Sequence, residues 1–138
     1  MKNVLLISTG LVLILTGCQN DSEKRLARGC EAAAKVMLAK EKYDRQIDSI
    51  KSSKLGMSDG FRLVTINTVT KTKEFSNPQD ESFECKFEES SGPFGFAWRA
   101  ALVQIKIDDV IYGSEGGEIY GSIEDQLALT AAVESAMK

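Results

Sequence analysis

Residues 82–89 read Ser82-Phe83-Glu84-Cys85-Lys86-Phe87-Glu88-Glu89 and alternate in polarity without a break. Phe83, Cys85 and Phe87 share one phase, and Glu84, Lys86 and Glu88 share the other. Successive side chains of a strand point to opposite faces, so this segment is a strand with one buried and one wet face. Cys85 lies on the buried phase. Upstream, Leu26, Cys30, Ala33, Met37 and Leu38 recur at helical spacing, in a helix expected to run from a Ser22 cap to about Lys42. Cys30 falls on that apolar stripe. A helix cysteine and a strand cysteine that both face the core predict a Cys30–Cys85 disulfide, worth about 4 kcal/mol on the loop-entropy model. Two buried free thiols, or one redox-active thiol, are the alternatives.

Working outward, only Tyr43, Ile47 and Ile50 are apolar between Lys40 and Lys54, so this stretch is either a thin continuation of the helix or an irregular linker. Lys54 to Gly60 is a breaker cluster. Phe61 to Phe75, rich in Thr, Val and Ile, has strand composition, and Ser76-Asn77-Pro78-Gln79-Asp80 is a turn. After the Ser90–Pro93 turn, Phe94, Phe96 and Trp98 share one phase while Ala101, Val103, Ile105 and Ile107 share the other. That change near Ala100 predicts a β-bulge or two strand segments. Ile111-Tyr112-Gly113-Ser114 and Ile119-Tyr120-Gly121-Ser122 flank Gly116-Gly117 and read as a small hairpin. Ser122 and Asp125 then cap a helix from Ile123 to about Met137, whose Leu127, Leu129 and Val133 cover much of its circumference and are expected to pack on the sheet. The expected fold is α+β: an N-terminal helix, three to four antiparallel strands and a C-terminal helix, with the helices on one sheet face.

The first residues carry a different signal. Lys2 precedes an apolar run from Val4 to Leu15. As a helix that run would span about 18 Å, short of the roughly 30 Å hydrocarbon core of a bilayer, so it fits a secretory leader better than a membrane span. Leu15-Thr16-Gly17-Cys18, followed by the polar Gln19-Asn20-Asp21-Ser22, resembles the lipobox of bacterial lipoproteins. The resemblance implies cleavage before Cys18, S-diacylglyceryl attachment to its thiol and N-acylation of the new terminus. The expected organisation is a leader over 1–17, a lipidated tether over 18–24 and one domain over 25–138. Two or three acyl chains, at about 0.8 kcal/mol per buried methylene, hold a protein in a membrane essentially permanently. With Gln19 rather than Asp after the cysteine, the resemblance further implies an outer-membrane location facing the periplasm if the envelope is Gram-negative. In outline the remainder is similar to small exported bacterial and phage lipoproteins.

The 138-residue chain has 17 basic and 20 acidic residues, a net charge of -3 and no histidine. That balance argues against nucleic acid as a partner, and the missing imidazole removes His-based acid–base and nucleophile pairs. No CxxC cluster points to zinc, so neither a metal nor a cofactor is expected. Glu88-Glu89 and Asp108-Asp109 are paired carboxylates at expected strand ends, read as solvated charge; Lys71, Lys73 and Lys86 read as cations that keep a strand edge soluble. Phe94, Phe96, Trp98 and Arg99 read as core packing, with an aromatic ligand platform as the alternative. No catalytic residue can be named, so a non-enzymatic binding or structural role in the cell envelope, with a possible protein partner there, is expected.

For such a role the favoured loop is the hairpin carrying Tyr112, Gly116, Gly117 and Tyr120, because tyrosine gives large contact area at low rotamer entropy. Its alternative is an ordinary hairpin whose tyrosines pack on the sheet. Gly117-Glu118-Ile119-Tyr120 resembles the Ser-Gly-x-x-Tyr stretch of membrane-bound inhibitors of c-type lysozymes, which are disulfide-bonded β-barrel lipoproteins; Gly116 stands where that family has Ser. This implies inhibition of a lytic enzyme, or by extension a protease. A phage- or plasmid-type exclusion lipoprotein is the other specific reading.

Overall fold

The computed structural model describes residues 20–74, 77–95 and 97–138. Residues 1–19, which include the expected leader, Cys18 and Gln19, lie outside the described residues, as do Phe75, Ser76 and Phe96.

Helix α1 (Asp21–Leu38) comes first, with Asp21 and Glu23 favourably placed in its first turn. Strands β1 (Arg45–Ser58), β2 (Phe61–Thr72), β3 (Gln79–Ser90), β4 (Arg99–Ile107), β5 (Val110–Glu115) and β6 (Glu118–Tyr120) follow, and α2 (Ile123–Met137) ends the chain. All five strand pairings are antiparallel and the spatial order is β1-β2-β3-β4-β5-β6, a simple meander. The fold is therefore α+β, with six strands where three or four were expected.

Two strands were not expected: β1, and β5, which the Asp108-Asp109 turn separates from β4. Residues 45–58, left between a helix and a linker by their sequence, pair with the whole of β2. Register shifts between Ile47 and Ser49 and between Ile50 and Ser52 restart the two-residue period, so the apolar residues of β1 never line up in sequence. The breaker cluster is likewise mostly strand. Only Asp59-Gly60 turns, with φ of 50° and 83°, the positive values a two-residue hairpin needs. Asp108-Asp109 makes the same kind of turn between β4 and β5, with φ of 47° and 69°.

Three boundaries also move. The N-cap of α1 is Asn20 rather than Ser22, and the helix stops at Leu38 rather than Lys42. Residues 21–24, assigned to the tether, are thus already helix. The bulge in β4 lies three residues beyond the expected Ala100: Lys86 pairs with Gln104 but Phe87 pairs with Leu102, which leaves Val103 as the extra residue. It reconciles the two phases, because Trp98, Ala100 and Leu102 pack on the core before it and Val103, Ile105 and Ile107 are buried after it.

One core joins the elements. Leu26, Cys30, Ala33, Ala34 and Met37 of α1 meet Val64, Ile66, Phe83, Cys85, Phe87, Ile105 and Ile107 of the sheet, with Leu129 and Val133 of α2. The disulfide forms at its centre, Cys30 to Cys85, with a Cα–Cα distance of 5.7 Å and both residues fully buried. The helices run antiparallel to each other. Arg28 Nε donates to the Ala136 carbonyl at 3.2 Å, and at the opposite end Lys40 pairs with Asp125. Gly29 lets them approach, since a Cβ there would sit 2.7 Å from Met137 Sδ.

Candidate functional site

The hairpin nominated by the sequence exists, turning on Gly116-Gly117 with φ of 60° and 85°. Its two tyrosines part company. Tyr112 is 2% exposed and belongs to the core, which corrects its assignment to a binding loop. Tyr120 stays at the surface, where its hydroxyl donates to Glu118 Oε2 at 3.2 Å; that bond and the nearby carboxylate charge push its phenol up. The physical reason is register. Tyr112 pairs with Ile105 on the buried phase of β4, whereas Tyr120 pairs with Gly113, on the opposite phase.

Tyr112 anchors a polar cluster at the end of the sheet away from the first turn of α1. Its hydroxyl is 2.5 Å from the Tyr43 hydroxyl and accepts from Lys42 Nζ at 2.5 Å, while the two rings meet edge-on with centroids 6.4 Å apart. Burial raises both phenols, but at Tyr112 the hydrogen bonds from Lys42 and Tyr43 and the charges of Lys42 and Lys40 outweigh it. The Tyr112 phenol is therefore held below its ordinary value and that of Tyr43 is pushed above it, by burial and by donation to Tyr112. Beside them, Arg45 bridges Glu81 (2.6 Å) and Asp108 (2.8 Å), and Thr70 Oγ1 donates to the second oxygen of Glu81 at 2.5 Å. The Arg45 guanidinium also lies 5.7 Å from the Tyr43 ring centroid. Asp125 completes this end, closing a full capping box with Ser122 while pairing with Lys40. Each of these side chains has at least one partner in the cluster, although the buried Arg45 Nε has none.

The remaining nominated residues are scattered. Glu89 holds Arg62 at 3.0 Å and accepts from Trp98 Nε1 at 3.3 Å; Asp109 pairs with Lys106 at 3.5 Å. Lys71, Lys73 and Lys86 pair with Asp48, Asp44 and Glu115. Trp98 is half-buried under the Arg25 guanidinium, and Arg99 is exposed. Phe94 is 94% exposed, which corrects its assignment to core packing.

The surface that the sequence hid is on α2. Leu129, Val133 and Met137 form its buried stripe, but Ile123 and Leu127 are 67% and 65% exposed. Helix α2 does pack on the sheet as expected, but Leu127 takes no part in that packing. Ile123 and Leu127 stand one turn apart on the same face, which flanks the buried stripe about 100° round the helix. The half-exposed Ile119 lies on β6, the short strand that packs against α2. Spacing of apolar residues by four on two different faces of one helix was the available signal.

Among the described residues no three His, Cys, Asp or Glu side chains are grouped to hold a metal ion, and no helix is long and apolar enough to cross a membrane. No family model, curated protein or solved structure matches the chain.

Proposed function

We propose that the chain is a lipid-anchored cell-envelope protein, held by acylated Cys18 and facing the periplasm, that serves by binding another envelope protein rather than by catalysis. The observation that carries this reading is the run Leu15-Thr16-Gly17-Cys18, with helix α1 starting three residues later at Asp21. A lipobox followed at once by an ordered helix is the arrangement of an anchor fused to a functional head. Outer-membrane residence, in a Gram-negative envelope, follows from Gln19 after the anchor.

The binding role draws support from the aliphatic residues left in water on α2 and β6. Ile119, Ile123 and Leu127 have no intramolecular use, and exposed apolar groups that adjoin one another mark interaction surfaces. The nominated hairpin contributes to this role through its exposed Gly116-Gly117 tip and Tyr120, without Tyr112. Inhibition of a lytic enzyme by this hairpin is the second reading, favoured by Glu118 and Tyr120 standing together at its exposed edge. The non-catalytic role draws on the absence of histidine and on the mutual pairing of the buried polar groups.

Mass spectrometry of the mature protein tests the anchor. It should find a diacylglyceryl, N-acylated Cys18 at the N-terminus, and Cys18→Ser should move the protein from the membrane to the soluble fraction. An intact Met1, or a mature form with a free Cys18 thiol, refutes the reading. A photocrosslinker at position 127 should capture a partner that one at position 84, on the outer sheet face, does not.

A further inference from the structure

We infer that the end of the domain nearest Cys18 docks on the surface of the same bilayer that holds the anchor, with Phe94 inserted among the lipid headgroups and Trp98 beside it. This rests on the lipid-anchor reading and deepens it, by assigning the occupant and the orientation.

Reach comes first. Helix α1 starts at Asp21, so three residue steps separate it from Cys18, which at full extension is about 11 Å. No long linker can lift the domain away from the headgroups. The first turn of α1 is also clamped to the strand ends around it. Glu23 reaches Arg62 at 3.7 Å, Arg62 holds Glu89 at 3.0 Å, and Arg25 stacks on Trp98 at 5.8 Å from the ring centroid. The first turn of α1, the start of β2, the end of β3 and Trp98 are therefore tied together, and an anchor three residues before α1 would hold that end near the membrane.

The residues at this end suit that contact. Phe94 sits in the β3–β4 connection, closed at its base by the Gly92 N–H to Ala97 carbonyl hydrogen bond of 3.2 Å. Its ring is 94% exposed and its backbone is left-handed, with φ of 64° and ψ of 17°. A bulky non-glycine residue seldom adopts that conformation, and an aromatic ring seldom remains wholly in water. Two unfavourable features at one residue point to a use outside the fold. Met57, 62% exposed beside the β1–β2 turn, adds a second apolar group at the same end. Trp98, half-buried with its indole near the surface, is the residue type enriched where bilayer meets water. Arg25, Arg99 and Lys138, with a single carboxylate at Glu134, line an open hollow of about 380 Å³ next to Trp98, so cations outnumber anions there. One phenylalanine could not hold a free protein on a bilayer; with the acyl chains supplying attachment, it needs only to set orientation.

Trp98 is the one tryptophan of the chain, so it reports docking directly. The acylated full-length mature protein is reconstituted into phosphatidylcholine–phosphatidylglycerol vesicles, with and without bromine on the upper acyl carbons. Trp98 emission should fall about two-fold in the brominated vesicles, as for an indole at the interface. Phe94→Asp, an exposed substitution by a residue that tolerates left-handed backbone, should stay vesicle-bound through its lipid and lose most of that quenching. Equal Trp98 emission in both vesicle types, from protein shown to be acylated and bound, overturns docking and leaves the anchor standing. Quenching that persists in Phe94→Asp overturns the role of Phe94. A mature protein with unmodified Cys18 removes the anchor itself, and docking with it.

Discussion

Truncating Tyr112 and Tyr120 in turn separates the two halves of the hairpin. Tyr112 is 2% exposed, packs edge-on against Tyr43 and shares its hydroxyl with Tyr43 and Lys42, whereas Tyr120 touches Glu118 at the surface. Removing a buried aromatic ring costs about 3–5 kcal/mol, part of it the cavity left behind. Tyr112→Phe keeps the ring and removes only the hydroxyl. The hydrogen bond shared with Tyr43 is worth about 1 kcal/mol, and the one from Lys42 adds less than a buried charged bond would, because the exposed lysine can turn to water. The expected losses are therefore about 4 kcal/mol for Tyr112→Ala, about 1–2 kcal/mol for Tyr112→Phe and under about 0.5 kcal/mol for Tyr120→Ala. Urea unfolding followed by circular dichroism, on secreted Cys18→Ser protein with its disulfide intact, measures all three. A Tyr112→Ala loss below about 1 kcal/mol, or a Tyr120→Ala loss equal to it, refutes the division of the hairpin into core and surface.

Reducing the Cys30–Cys85 bond should lower unfolding free energy by about 4 kcal/mol, and a non-reducing peptide map should show the two peptides linked. Gly113→Ala should prevent folding or cost at least about 3 kcal/mol, because at φ of 132° the new Cβ would fall onto the Val103 carbonyl oxygen; near-native stability by urea titration would contradict that register. Arg45→Ala strips a largely buried cation from Glu81 and should cost about 2–4 kcal/mol, against under about 0.5 kcal/mol for Lys51→Ala in its exposed pair with Asp80; equal losses in thermal unfolding would count against the cluster. The tyrosine pair should shape alkaline stability. Tyr112, held low, contributes stability that is present above the unfolded phenol value of about 10 and lost as pH falls through its folded value; Tyr43, held high, contributes stability that is complete below about 10 and lost as pH rises beyond it. Stability should thus rise as pH approaches 10 and fall above it, and Tyr43→Phe should reduce the fall to the part owed to Tyr120, whose phenol is also raised.

What the sequence revealed follows from where burial is one-sided. Strand β3 alternates because one face meets α1 and the other meets water, so Cys85 could be phased from its neighbours, and Cys30 likewise from the stripe of α1. Strand β1 gave no such signal, because it is an edge strand with most residues exposed and two bulges reset its phase. Its lysines, Lys51 and Lys54, are what an edge carries to discourage pairing with other chains, and in sequence they read as linker. The hairpins at Asp59-Gly60 and Gly116-Gly117 were marked by glycine. Asp108-Asp109 was not, since aspartate at positive φ leaves no mark that distinguishes it from surface charge.

The Tyr43–Tyr112 contact joins residues 69 positions apart, and no local pattern carries such a pairing. Helix α2 misled for another reason. A helix apolar all round reads as buried all round, and that inference needs a layer on each side of it. The described residues supply one sheet and two helices, so α2 finds cover only from the sheet and from α1. Leu129, Val133 and Met137 use that cover; Ile123 and Leu127 cannot. Under the proposed binding role, the two large aliphatic groups one turn apart on the uncovered side of α2 are where another molecule would supply cover. Because that surface flanks α2 while the Phe94 end lies at the root of α1, membrane and partner can be engaged together, and Leu127→Asp should abolish partner capture without changing Trp98 quenching.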